Sequence, residues 1–309
     1  MLITIVFCLP DMLMMSSSSY NGSVLQSNHS YGSTFMSAYL TCLTSRPSSI
    51  IFSSYIVLHI SLHLPLSVLI LYRIFQQTKQ CPFFSAAPMS HSDCFTYHLV
   101  IMELIGVLGF SLCLCGIYIQ ISKSVLFAGS LMSSFTWFGE ICFHILTCFE
   151  RYLAVVHPVT YLGLKKERGI RIRNVVIGCV WLLCCLGIGG MPANLFIFVN
   201  FGILFLSTTL VSSFSISVLI VLIQTGPGDK GKGRERVDQS KQKAFYIIVV
   251  ILGVLLLRFT WGLYWAILNE AGGSTSCVLM TVDVWFNLPS TLVQPLLFLF
   301  RVGKTTSCK

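Results

Sequence analysis

Three charged residues lie deep within long apolar stretches of this sequence, where a charged side chain is costly. Glu103 and Glu140 lie in the second and third stretches, and Arg258 lies in the sixth. Charged residues inside apolar segments commonly pair with one another and mark functional sites. Two carboxylates that lie close together cannot both ionise cheaply. We therefore predict one buried network, in which Arg258 or a bound sodium ion compensates the acids or one acid stays protonated. A purely structural polar cluster is the alternative.

The composition indicates what kind of element positions these side chains. Of the 309 residues, 55% are apolar and only 10% are charged, whereas a soluble domain carries about 25% charged residues. This argues against a soluble enzyme, a disordered chain and a nucleic-acid-binding protein. The net charge of +9 does not restore nucleic acid as a partner, because the basic residues lie between long apolar runs. We predict a protein surrounded by membrane lipid that is not an enzyme, since no nucleophile triad, phosphate loop or metal site is recognised and the cysteine pairs lack metal-ligand spacing.

Seven runs are long enough to cross a bilayer, which takes about 20 apolar residues in a helix. They predict an all-α membrane protein, a bundle of seven transmembrane helices. Residues 1–48 then form an N-terminal tail, 49–301 the membrane domain and 302–309 a short C-terminal tail. Residues 1–10 are apolar and are taken as part of the tail, with a cleaved signal as the alternative. The runs cover residues 49–72, 95–119, 125–150, 174–191, 195–223, 244–268 and 277–300.

The distribution of basic residues predicts the orientation. Seventeen of the 20 Lys and Arg residues fall in segments on one side of the predicted bundle, and that side is expected to be cytoplasmic. The N-terminus is then extracellular and the C-terminus cytoplasmic, which favours the plasma membrane. Asn21 and Asn28 begin N-x-Ser sequons in the Ser-rich N-terminal tail, where glycosylation could reach them; chance sequons are the alternative.

Three of the 13 cysteines have specific interpretations. Cys42 and Cys277 flank the first and seventh runs, which are neighbours in a ring-shaped bundle, so a disulfide between them is one interpretation. Cys308 lies just past the last run and is a candidate for palmitoylation, with an ordinary free cysteine as the alternative.

The third run ends with the residues FERYLAVVHPVTY at positions 149–161. This segment resembles the Asp/Glu-Arg-Tyr signature of rhodopsin-like (class A) G-protein-coupled receptors, with its His-Pro-x-x-Tyr continuation. The resemblance implies a receptor that couples to a heterotrimeric G protein. Glu150 would hold Arg151 at rest, and Arg151, followed by Tyr152, would bind the inserted partner once the helices separate. An interfacial Glu-Arg pair that snorkels to the headgroups is the alternative.

The resemblance extends over about residues 49–301, as a divergent member of the family. Gln294-Pro295-Leu296-Leu297-Phe298 looks like the family's Asn-Pro-x-x-Tyr motif, with Gln294 and Phe298 as replacements and Pro295 retained. Glu103 matches the position of a buried acid that forms part of a sodium pocket in the family. The fifth run contains no proline, and no cysteine stands where the usual extracellular disulfide would form.

The ligand is not identified by the sequence, although two classes are disfavoured. Residues 131–134 contain no acid, unlike amine receptors, and residues 277–300 contain no lysine, unlike opsins. The resemblance leaves Ser133, Asp283 and Asn287 as residues that could face an extracellular ligand, and the short outer loops favour a small one. The alternatives are a transporter or channel that uses Glu103, Glu140 and Arg258, or a receptor-like protein that no longer signals. Three histidines are interpreted as contacts between helices: His59, His63 and His144.

Overall fold

The structure, a computed structural model, describes residues 42–43, 45–80, 91–119, 123–164, 166–189, 193–224, 232–270 and 277–306. These residues are helical almost throughout and include no strand. An all-α architecture is therefore confirmed for this part of the chain. The helices are α1 (Arg46–Gln80), α2 (His91–Tyr118), α3 (Lys123–Val156), α4 (Pro158–Leu164), α5 (Glu167–Gly189), α6 (Ala193–Gln224), α7 (Lys232–Glu270), α8 (Cys277–Val282), a 3-10 helix η1 (Asp283–Asn287) and α9 (Leu288–Thr306).

Five of these helices are long and apolar enough to cross a membrane, and they contain Arg46–Gln76, Asp93–Tyr118, Ser124–Val156, Phe201–Ile223 and Gln242–Tyr264. They correspond to five of the seven predicted spans. The fourth predicted span corresponds to α5, which begins with a charged segment over residues 167–173 and has only a short apolar remainder. The seventh corresponds to α8, η1 and α9, a rod interrupted by the 3-10 turn.

The helices pack as a ring around α3. Helix α3 contacts α2, α5, α6 and α7, while α1 contacts α2, α8 and α9, and α9 also contacts α7. The backbones of helices α2 and α3 approach each other closely where Gly109 faces Gly129. A Cβ atom added to Gly129 would lie 2.6 Å from the Gly109 carbonyl oxygen. Small residues permit such close approach in membrane bundles, and this contact fixes the position of the central helix.

One end of the ring is closed by covalent and aromatic contacts. Cys42 and Cys277 form a disulfide with their Cα atoms 5.0 Å apart, as the sequence analysis suggested. The Trp285 indole nitrogen of η1 donates to the Ile51 carbonyl oxygen of α1 at 3.3 Å. The Trp285 ring also packs edge-on against Tyr55. The first and last described helices are thus joined at the end of the bundle where α1 begins.

Candidate functional site

The buried centre of the bundle contains an ion pair between α3 and α7. Arg258 donates from Nη1 to Glu140 Oε2 at 3.2 Å, and both side chains are buried. Ser290 of α9 bridges the pair, because its hydroxyl donates to Glu140 Oε1 at 2.6 Å and accepts from Arg258 Nη1 at 2.8 Å. His144 Nε2 lies 3.3 Å from Glu140 Oε1. The Arg258 guanidinium carbon lies 5.1 Å from the centre of the Trp137 ring. We call these five residues the arginine cluster.

The arginine cluster joins three helices through one carboxylate. Glu140 receives its bonds on both oxygens, whereas Arg258 Nε and Nη2 have no hydrogen-bond partner in the described part of the chain. The Trp137 ring partly compensates for those missing bonds, since an aromatic face attracts a guanidinium. Breaking this buried pair on one side would leave an uncompensated charge. Any relative movement of α3, α7 and α9 must therefore rearrange these contacts.

A second polar group lies between α1, α2 and α9. His63 Nδ1 of α1 lies 3.6 Å from Glu103 Oε2 of α2, and His59 Nε2 lies 3.9 Å from the same oxygen. The two imidazole rings stack with their centres 4.1 Å apart. Thr291 of α9 lies within hydrogen-bond distance of His63, with 2.9 Å between Oγ1 and Nε2. We call these four residues, all of which are buried, the histidine cluster.

The direct contacts of the predicted network fall into two neighbouring groups, and Glu103 still interacts electrostatically with Glu140 and Arg258. Glu140 and Arg258 pair as expected, but among the described residues the ion pairs of Glu103 are with His59 and His63 rather than with Arg258. The physical reason is helix rotation, because Glu103 points from α2 towards α1 whereas Glu140 points towards α7. Glu103 and Glu140 were predicted at a similar depth, but side chains at the same depth can point towards different helices. The interpretation of the three histidines as contacts between helices agrees with the structure, since each contacts another helix.

The Glu150-Arg151-Tyr152 segment lies in the last two turns of α3. Glu150 is buried, and its Oε1 accepts a hydrogen bond from the Tyr161 hydroxyl of α4 at 3.3 Å. The Tyr152 hydroxyl lies 3.2 Å from His157 Nε2. Helix α4 was not predicted, and it folds back so that the motif's own continuation contacts its acid. The Tyr152 ring also stacks on Phe214 of α6 with centres 5.1 Å apart, which brings the motif beside α6.

The Gln294-Pro295 segment connects α9 to the same central helix. The Gln294 side-chain nitrogen donates to the Thr147 hydroxyl and to the Phe143 carbonyl oxygen, the latter at 3.4 Å. Pro295 lies inside α9. Phe298 is buried in an apolar cluster with residues of α1 and α2. The phenyl ring thus packs α9 against α1 and α2.

The residues proposed to face a ligand lie on two elements, α3 and η1. The Ser133 hydroxyl donates to the Ser130 carbonyl oxygen of its own helix at 2.9 Å. Asp283 is exposed and Asn287 is partly buried, and both belong to η1. Asn21, Asn28 and Cys308 lie outside the described residues. A ligand pocket is therefore not assigned to these positions.

The contacts of His59 and His63 with Glu103, and of Thr291 with His63, were not predicted from the sequence. A signal for two of them was present, because His59 and His63 are four residues apart in an apolar run and so lie on one face of a helix. Ser290 and Thr291 gave no such signal, since hydroxyl residues in apolar helices often bond only to their own backbone. No protein-family model matches the chain, and the comparison with curated proteins finds no match.

Proposed function

We propose that this chain is a seven-helix receptor of the rhodopsin-like class, which couples an extracellular signal to a heterotrimeric G protein. In this proposal α5 and the α8–η1–α9 rod cross the membrane with the five longer helices. The end of the bundle that carries Arg151 faces the cytoplasm of the plasma membrane. The ligand is small, and its site lies towards the disulfide-closed end. The support is the motif at residues 149–161, the distribution of basic residues and the ring of helices.

The observation that carries the proposal is the environment of Glu150, Arg151 and Tyr152. The three residues lie at the end of α3, and the Tyr152 ring stacks on α6. A guanidinium offers five donors in a planar fork, which suits backbone carbonyl groups at the end of a partner helix. Separation of α6 and α7 from α3 would open a groove beside this arginine. The motif and the neighbouring helices therefore provide the parts of a coupling site.

The arginine cluster supplies a two-state element for this coupling. It connects α3 to α7 and α9 through Glu140, Arg258 and Ser290, and these contacts cannot stretch continuously because hydrogen bonds weaken steeply with distance and angle. A ligand that favours the arrangement with these bonds rearranged would favour the G protein by the same free energy. Signal transmission is then a shift between two packings of one bundle.

The test is a panel of G proteins assayed with wild type and Arg151→Ala at matched surface expression. We expect wild type to promote nucleotide exchange on at least one Gα subunit, even without added ligand if basal activity is measurable, and Arg151→Ala to abolish it. Arg171→Ala is the matched control, because it removes an exposed arginine from the same end of the bundle. Equal output from wild type and Arg151→Ala throughout the panel would remove the signalling proposal.

A transporter or channel is the second candidate, and the observation that favours it is the proximity of two buried groups of ionisable side chains. Glu103 and Glu140 have neighbours of opposite or titratable character on α1, α3 and α7, which could support a proton or sodium path. Sodium- or proton-dependent current in cells expressing wild type, lost in Glu103→Gln, would favour this function. Nucleotide exchange without current would favour the receptor.

A further inference from the structure

The histidine cluster contains three metal-binding side chains that the signalling proposal does not use. Ring nitrogens of His59 and His63 and a carboxylate oxygen of Glu103 all lie within 4.8 Å of one another. Histidines four residues apart on a helix are a spacing found in helical zinc sites. The three side chains are at most 1% exposed, so their chemistry is separated from water.

The hydrogen bonds of Thr291 determine which nitrogen of His63 faces Glu103 without a proton. The Thr291 hydroxyl donates to the Leu288 carbonyl oxygen at 2.9 Å, and a hydroxyl has a single proton to donate. The arrangement that satisfies both contacts of Thr291 therefore has His63 donating from Nε2 to Thr291. His63 Nδ1 then carries a lone pair, and it faces Glu103 Oε2 at 3.6 Å.

Several polar atoms of this cluster are buried without a hydrogen-bond partner among the described residues. They include both carboxylate oxygens of Glu103 and Nδ1 of both His59 and His63. Two acceptors that face each other in an apolar interior are unfavourable unless a proton or a cation lies between them. Thr291 also supplies what metal-binding histidines usually have, a partner on the second ring nitrogen that fixes the ring. These features point to a cation held by the three side chains.

The type of ligand atom selects the type of cation. Sodium-like and magnesium-like ions are bound by oxygen, whereas imidazole nitrogen favours zinc, copper, iron and nickel. Zinc bonds of about 2.0–2.2 Å permit nitrogen and oxygen ligands to be up to about 4.2 Å apart. The separations of 3.6 and 3.9 Å from Glu103 Oε2 to the two histidines fall within that limit.

The proposed metal site requires the rotation of one imidazole ring. A metal ion lies in the plane of each imidazole that binds it, but the two rings are stacked with only 13° between their planes. His63 is held by Thr291, whereas His59 Nδ1 has no hydrogen-bond partner within the described part of the chain. Binding one ion through both rings therefore requires the His59 ring to turn out of the stack. We propose that His59, His63 and Glu103 bind one divalent transition-metal ion of the zinc type, acquired as the chain folds, which joins α1 to α2.

The inference does not rest on the proposed signalling function, because its readout is metal content. The full chain is purified in detergent with an affinity tag that lacks histidine, from cells supplied with zinc, and metal is measured by mass spectrometry. We expect about one zinc ion per chain in wild type and loss of nearly all of it in His63→Gln. The control is His98→Gln, which removes a partly buried histidine that belongs to neither cluster and should retain the metal.

A second variant addresses the orientation of His63. Thr291→Val keeps the size of the side chain and removes the hydroxyl, so a competing chelator should remove zinc at about 10- to 100-fold lower concentration than from wild type. Should His63→Gln fail to fold, wild type prepared with cobalt remains decisive. Visible absorption bands of nitrogen-bound Co²⁺ are expected, and their absence would overturn the proposal. Metal-free wild type, or equal zinc in wild type and His63→Gln, would overturn it as well.

Discussion

The arginine cluster and the histidine cluster meet α9 at adjacent residues, Ser290 and Thr291, yet they accommodate a buried acid in different ways. Glu140 receives bonds on both oxygens, and Arg258 supplies the compensating charge within the chain. In the part of the chain that the structure describes, both oxygens of Glu103 lack a hydrogen-bond partner, and two histidines lie 3.6 and 3.9 Å from Oε2. The charge of Glu140 is therefore compensated by another residue of the chain, Arg258. The second acid needs a proton or a cation from solution.

The largest effect is expected when the ion pair between Glu140 and Arg258 is broken. Arg258→Leu leaves Glu140 as a buried acid without its cation, and removing one partner of such a pair costs about 3–5 kcal/mol. We expect low surface expression and a correspondingly lower free energy of unfolding in mixed detergent micelles. The double variant Glu140→Leu with Arg258→Leu should recover most of the loss, because no unpaired charge remains. Wild-type stability in the single variant would mean that the pair contributes nothing to the fold.

The next effect concerns the hydroxyl that bridges the pair. Ser290→Ala removes one bond to a carboxylate and one from a guanidinium, and hydrogen bonds to charged groups contribute about 1.5–3 kcal/mol. We expect a loss in that range in the same unfolding assay. Ser213→Ala on α6 is a suitable control, since this exposed serine bonds only to a carbonyl oxygen of its own helix. A loss no greater than the control's would show that water or a neighbour replaces the bridge.

The third prediction concerns Thr291, which is adjacent to Ser290 and belongs to the histidine cluster. Thr291→Val removes a bond between neutral groups, and such bonds in membrane bundles average about 0.6 kcal/mol. With a strong chelator present, we expect its loss of unfolding free energy to be clearly smaller than that of Ser290→Ala. A loss as large as that of Ser290→Ala would contradict the distinction between a charged and a neutral cluster.

The smallest effect concerns the aromatic face above the guanidinium. Trp137→Phe keeps an aromatic ring but weakens its attraction for Arg258, which lies 5.1 Å from the ring centre. We expect a loss of about 0.5 kcal/mol in the unfolding assay. The same substitution in the Arg258→Leu background should cost less, because the cation is gone. Equal losses in both backgrounds would assign the effect to packing instead.

The sequence predicted the helices well and their mutual rotations poorly. The run at 125–150, for example, lies within α3, Lys123–Val156, because long apolar runs bounded by charged or turn residues leave few other choices. The break at η1 was not predicted, since residues 283–287 contain no proline or glycine. The pair Cys42–Cys277 could be suggested from its position beside the first and seventh runs, and the structure confirms it.

In the candidate sites as well, the sequence predicted the position of a residue along its helix but not the direction of its side chain. Depth along a helix follows from counting residues, so Glu103, Glu140 and Arg258 were correctly placed within apolar helices. Which neighbour each one meets depends on rotation about the helix axis, and that is set by packing such as the contact of Gly109 with Gly129. Sequence periodicity carries little information on rotation when a helix is apolar on nearly every face. The partners of Glu103 could therefore not be predicted.

The disulfide between Cys42 and Cys277 has a mechanical consequence. It fastens the beginning of the first described helix to the beginning of the last rod, so these two rods cannot drift apart at that end whatever happens elsewhere. With one end fixed by the disulfide, the two helical segments can move relative to each other only by tilting about that end. A small tilt about the clamp is amplified at the far tips, where α3 ends and α4 turns back.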